Sequence, residues 1–146
     1  MNHEFARCFT KDLDSLAKEV ELCQDETLWL VLPGITNSIG NLTQHLIGNL
    51  NHFIGATLGE TGYVRNRDAE FAERNMTKTE MIAKISETSA MLEKVIGSLT
   101  ELDLLKKFPL ETYGYEMTTG HMIAKLASHL GYHLGQINYL RRISQG

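Results

Sequence analysis

Four segments of the chain repeat apolar residues at three- and four-residue intervals, the spacing that lines up one face of an α-helix. In the first, residues 3 to about 28, Phe5, Phe9, Leu13, Leu16, Val20 and Cys23 form the stripe, and Lys11, Asp14, Lys18 and Glu21 are set off it. Pro33 and Gly34 stop that pattern, and the lone Trp29 before them is expected in core or rim packing. Asn37-Ser38 offers an N-cap for a second helix, Ile39 to about Leu58, whose apolar face holds Ile39, Leu42, Leu46, Leu50, Phe53 and Ile54. Thr77-Lys78-Thr79-Glu80 has the spacing of a capping box and opens a third helix with Met81, Ile85, Leu92, Val95, Ile96 and Leu99 on its stripe. Thr118 or Thr119 caps the fourth, striped by Met122, Leu126, Leu130, Ile137 and Leu140. Four amphipathic helices with no internal repeat or linker predict an all-α four-helix bundle, one domain over residues 1–146.

Two connections carry more character than a flexible linker. Residues 59–76 are charged and aromatic, and long ordered loops in small domains often serve function. Arg65 and Arg67 there would either receive an anionic ligand or, the commoner arrangement, pair with Asp68, Glu70 or Glu73. Leu104 to Thr119 contains Phe108-Pro109 and Tyr113-Gly114-Tyr115, which permits a short hairpin.

Composition narrows the function classes. The chain has 146 residues, 42% of them hydrophobic, with two prolines, which suits a folded helical domain. Its net charge is −4, and the 14 basic residues are dispersed rather than clustered among aromatics, so nucleic acid is not an expected partner. No run approaches the roughly 18 apolar residues of a membrane span, and the N-terminus lacks a signal-peptide core; a cytoplasmic location is expected. Cys8 and Cys23 lie too far apart on one predicted helix for a disulfide and read as buried thiols.

The chemistry concentrates on histidines. His129 and His133 are four apart and share the apolar side of the fourth helix, where two imidazoles need either a metal or polar partners. On the border of the second helix, His45, Asn49 and His52 form a polar line facing the seam between helices. His45 offers a third nitrogen, and three histidines leave a coordination position open, as in catalytic rather than structural metal sites. Imidazole accepts zinc, nickel, iron and copper alike. No Glu-x-x-His, His-Glu-x-x-His, phosphate-binding loop or Gly-x-Gly-x-x-Gly occurs. His3 is expected in solvent, His121 in a structural role and His52 beside the site rather than in it.

Trp29 and Pro33, then Ser38-Ile39-Gly40-Asn41-Leu42-Thr43-Gln44-His45-Leu46, then Ser128-His129-Leu130-Gly131-Tyr132-His133-Leu134-Gly135-Gln136-Ile137 resemble the DinB/YfiT-like family of bacterial helical proteins. The stretch Arg65-Asn66-Arg67-Asp68-Ala69-Glu70-Phe71 resembles a subgroup of it. The resemblance implies an up-down-down-up four-helix bundle, usually a homodimer, with a divalent ion, zinc or nickel, on His45, His129 and His133. It also implies a metal-dependent transferase or isomerase using a low-molecular-weight thiol such as mycothiol, bacillithiol or glutathione on a small-molecule substrate. Arg65 or Arg67 would hold a carboxylate, and Gln136 or Asn49 would orient an imidazole. The competing expectations are a metal-assisted hydrolase, a non-catalytic metal-stabilised dimer or small-ligand binder, and a metal-free bundle whose histidines only hydrogen-bond.

Overall fold

The first amphipathic segment folds as helix α1, Asn2–Leu22, in the computed structural model, which describes residues 2–146. It stops about six residues short of the expected end. Gln24 turns extended (φ −69°, ψ 148°), and a separate turn, α2 (Asp25–Leu28), follows. The cause is tertiary: Gln145, at the far end of the chain, accepts from Gln24 N at 2.7 Å and from Thr27 Oγ1 at 3.2 Å. Phe5 is not part of the buried stripe, being 40% exposed, and Ala6 takes its place. Of the two free thiols Cys23 is buried as expected, but Cys8 is exposed.

Ser38 caps the second long helix by accepting from Asn41 N at 3.1 Å. That helix runs as α3 (Ile39–Leu50), widens into a π-helical segment (Asn51–Ala56) and closes with α4 (Thr57–Gly59). Every residue of α3 is buried. Periodicity does not foretell the π-helical segment; its Asn51 amide reaches Thr88 Oγ1 at 2.8 Å, so a neighbouring helix holds it. The long connection contains α5 (Arg67–Ala72), capped by Asn66. Helix α6 (Lys78–Ser98) begins at the predicted Thr77/Glu80 capping box. A second box, Thr100/Asp103, starts the short α7 (Glu101–Leu105), between the last stripe residue of the third helix, Leu99, and the connector expected from Leu104. The hairpin reduces to one antiparallel bridge, with Phe108 N donating to Met117 O at 2.8 Å and Thr119 N to Lys106 O at 2.8 Å. Thr118 then caps α8 (Thr119–Gln145).

Contacts fix the helix directions. Lys78 at the start of α6 bonds Cys23 O just past α1, while His3 packs by Gly97 near the end of α6, so these two run antiparallel. Asn51–Thr88, Gly55–Met91 and Gly59–Val95 pair in rising order, so the second long helix and α6 are parallel. Asp12 lies beside Gly131 and Glu19 bonds Asn138, which makes α1 and α8 parallel. The topology is therefore up-down-down-up, with α3 and α8 antiparallel neighbours whose midpoints face each other. Leu46, Leu50, Ile54, Leu92, Ile96, Leu126 and Leu130 fill the centre with no exposed surface. Among the described residues no helix is long and apolar enough to cross a membrane.

One polar clasp ties α1 to α8. Glu19 accepts from Asn138 Nδ2 at 2.7 Å and from Arg141 Nε. Burial alone would push its carboxyl up, but the bonds and charge of Arg141 and the amide of Asn138 outweigh it and lower the pKa. A lowered folded-state pKa adds stability above the ordinary glutamate value, lost as pH falls from there through the folded value. Glu19→Gln is expected to cost about 1–2 kcal/mol at pH 7. In urea titrations the gap from wild type should shrink below pH 4.5; a gap unchanged down to pH 3 would reject the electrostatic account.

Candidate metal centre

Because α3 and α8 are antiparallel neighbours, the middle of one faces the middle of the other, and His45 meets the pair on α8. His129 Nε2 lies 3.2 Å from His45 Nε2 and 3.2 Å from His133 Nε2. One ligand atom from each residue can be chosen so that all three lie within 4.8 Å of one another. Donors bound at about 2.0–2.1 Å to a tetrahedral ion sit roughly 3.4 Å apart. The spacing fits a common ion.

The outer ring nitrogens decide what faces inward. His45 Nδ1 is 3.1 Å from Glu70 Oε1, and His133 Nδ1 is 2.7 Å from Gln136 Oε1. Both partners are acceptors, so both Nδ1 atoms carry the proton and both Nε2 atoms present bare lone pairs. His129 Nε2 has one site for a proton and two lone pairs to satisfy, and its own Nδ1 is buried with no partner. Hydrogen bonds among the three rings leave at least one inward lone pair unmet, whereas a cation at the convergence of the three Nε2 atoms meets all of those. Burial first, then the neighbouring His133, His45 and Arg65, bring the His129 pKa down to about 4. Burial likewise lowers His133, partly offset by its bond to Gln136. His129 and His133 are half-buried while His45 is 7% exposed, so the cluster is closed on the α3 side and open on the α8 side.

Behind His45 stands an anchor that the sequence pattern does not announce. Glu70 is 7% exposed and accepts from Arg65 Nε at 2.8 Å and Arg65 Nη2 at 2.9 Å, as well as from His45. Arg65 Nη2 also lies 3.3 Å from His45 Nδ1, but two donors face each other there, so it is a close approach and not a bond. Burial would raise the Glu70 pKa; the bonds from His45 and Arg65 outweigh it and hold the carboxyl low. The backbone carrying Glu70 is pinned from α3. Asn41 Nδ2 reaches Glu70 O, Phe71 O and Glu73 O at 3.1, 3.1 and 3.2 Å, and Gln44 Nε2 reaches Glu70 O and Glu73 O at 3.1 and 3.0 Å. Room for the carboxylate comes from Gly48, where a Cβ would lie 1.9 Å from Glu70 Oε2.

The other expected site residues divide. Gln136 does orient a histidine of the cluster. Arg65 takes the pairing arrangement, with Glu70, and is not a free anion receptor. Arg67 is exposed, its guanidinium 5.4 Å from the Phe71 ring centroid. Asn49 is buried with Oδ1 unpartnered and bonds none of the three histidines. His52 sits in the π-helical segment against Phe53, its pKa lowered by burial and by the charge of Arg65. Glu70 is foreseen only as a pairing partner of Arg65 or Arg67, not as a partner of His45, and the sequence assigns no role at the site to Gly48, Asn41 or Gln44. Their signal is faint: a glycine inside a long helix marks a close approach, and Gly48, Asn41 and Gln44 flank His45 at +3, −4 and −1.

The bundle has the DinB/YfiT-like four-helix fold, and three histidines from its second and fourth helices converge on one point. Residues 3–146 match the family described as "Protein of unknown function (DUF1572)", and the chain belongs to that family. Among solved structures it is similar to YfiT from Bacillus subtilis, described as a probable metal-dependent hydrolase with an unusual four-helix bundle topology. That likeness has TM-score 0.79 at 15% identity over 99% of this chain and 87% of that one. A DinB-like protein from Bacillus cereus aligns with TM-score 0.76 at 17% identity over 97% and 91%. A DinB-like protein from Bacillus subtilis, YjoA, gives TM-score 0.72 at 15% identity over 98% and 93%. At these identities the likeness carries the fold. The comparison with curated proteins returns no match.

Proposed function

We propose that this chain is a divalent-metal-dependent enzyme that transfers a low-molecular-weight thiol to an electrophilic small molecule. The observation that carries the metal reading is the convergence of three Nε2 atoms, two of them with their lone pairs turned inward by Glu70 and Gln136. His45, His129 and His133 would hold the ion, zinc or nickel by ligand type. Bound there, a divalent ion supplies the Lewis acidity that makes a thiol or water nucleophilic near neutral pH. In the transfer, the thiol gives up its proton to solvent, its sulfur bonds to the electrophilic carbon, and the leaving group departs with the electron pair. The chain's share is to keep His129 and His133 neutral by burial, and to aim His45 and His133 by the two outer hydrogen bonds. Among the described residues the one carboxylate bonded to the cluster, Glu70, is already engaged by Arg65 and His45, so it offers no free general base. A thiol, more acidic than water, suits such a site.

A groove of about 320 Å³ adjoins the cluster at Gln136 and is lined by Ile35, Leu42, Tyr139, Leu140 and Ile143 among others, a size and character that suit the apolar part of a small substrate. The second reading, metal-assisted hydrolysis, is favoured by the likeness to YfiT. Consumption of an alkyl or aryl halide with a panel of small thiols separates the two. Thiol-dependent turnover that stops on chelation and returns with zinc or nickel is the expected result. Turnover surviving verified metal removal would sink the mechanism, and thiol-independent ester cleavage would move the assignment to hydrolysis.

A homodimer is proposed as well. Tyr132, Tyr139 and Ile143 lie on one face of α8 at seven- and four-residue spacing and are 64%, 67% and 66% exposed, an apolar surface that a second copy would cover, walling the outer side of the groove that Tyr139 and Ile143 line. Sedimentation should give twice the chain mass; a monomer mass at all concentrations would contradict it.

A further inference from the structure

We infer that Glu70 is the positioning residue of the metal centre, and that docking of the segment carrying it is coupled to metal occupancy. The inference rests on the metal reading above. A carboxylate and an arginine could pair on the surface without losing hydration, and drawing the pair inward has a desolvation cost that Arg65 alone need not offset. Here the carboxylate enters a notch beside His45 that only glycine at position 48 leaves open. The group it reaches there is His45 Nδ1–H. A carboxylate on that N–H fixes the tautomer and the ring plane and makes the opposite nitrogen a stronger donor to a cation.

The attachments of α5 converge on the same point. Asn41 and Gln44, one turn and one residue before His45, hold the carbonyls of Glu70, Phe71 and Glu73. The Phe71 ring lies 4.9 Å from the His45 ring. Segment 65–73 thus grips α3 within residues 41–48, centred on a proposed ligand, although it comes from a connection outside the four long helices. If the seated Glu70 strengthens metal binding, linkage requires the bound metal to strengthen seating by the same factor. The long connection is then part of the centre rather than a cover over it.

Competition against a chromogenic chelator, with zinc as the probe, measures the first half. Glu70→Gln keeps the shape but loses the charge and the Arg65 pair, and it is expected to weaken zinc binding about 10–100-fold. Glu70→Asp, which keeps the charge but is one methylene too short, should weaken it as well and serves if the glutamine variant does not fold. Hydrogen exchange measures the second half: zinc should slow the amides of residues 66–73 in wild type and leave them unchanged in His129→Ala. Wild-type zinc affinity in a folded Glu70 variant would overturn the positioning role, since a merely structural clamp would change stability alone. Exchange of that segment indifferent to zinc in wild type would overturn the coupling. Wild type that binds no zinc refutes the metal reading itself and this inference with it, an outcome distinct from equal binding by wild type and variant.

Discussion

His129→Ala should abolish the rise in melting temperature that zinc or nickel produces in the wild-type protein. A ligand present at a thousand times its dissociation constant stabilises the folded state by about 4 kcal/mol. For a domain of this size that shifts the melting temperature by on the order of 10 °C. His129 is the middle of the cluster, its Nε2 3.2 Å from each of the other two, so its loss removes the central donor and leaves an ion only two imidazoles. The metal-free variant should melt close to metal-free wild type. His129 carries an unpartnered buried Nδ1 and faces two inward lone pairs, so its removal relieves a polar conflict as it opens a small cavity. Scanning calorimetry with and without metal tests both halves. A metal-induced shift as large in His129→Ala as in wild type would reject the cluster as the site.

Gly48→Ala should destabilise the protein by about 2 kcal/mol, against the general expectation for glycine inside a helix. Alanine in a helix interior is favoured over glycine by about 1 kcal/mol, so the bare helix would gain. The added methyl, however, falls 1.9 Å from Glu70 Oε2 and 2.6 Å from its Cδ, and the carboxylate has to leave its notch. That removes charge-assisted bonds and leaves His45 Nδ1–H buried without a partner, a loss of about 1–3 kcal/mol for that group alone. The Asn41 and Gln44 bonds to the segment would loosen with it. Urea unfolding should show a lower midpoint with little change in slope. A variant as stable as wild type, or more so, would mean that Glu70 is not seated as described.

Most of the bundle was legible along the chain because helix packing writes itself into period and caps. The Thr77/Glu80 box, the Ser38 cap and the stripes of the second, third and fourth helices stand where the pattern puts them. The errors have local causes. Leu22 ends α1 early because Gln145, 121 residues further on, captures Gln24 N, a bond that no window of sequence contains. Phe5 fits the helical period and still faces outward, since period identifies a face but not how far toward the terminus that face is covered.

The site divides along the same line. That His129 and His133 share a face follows from four-residue spacing on one helix, a local property that the amino-acid order determines by itself. His45 is offered as a third nitrogen by its place on the polar border of the second helix, a reading the family resemblance reinforces, and its arrival within 3.2 Å of His129 depends on α3 and α8 crossing antiparallel at their midpoints. Only the tertiary structure decided the rest. Arg65 became a scaffold for Glu70 instead of a ligand receptor, Arg67 was left on the surface, and Gly48 opened the notch that admits the carboxylate. Those outcomes turn on a connection folding back onto a helix more than twenty residues earlier, where a few ångströms of backbone approach determine which polar groups meet. Helical periodicity carries no information about that approach.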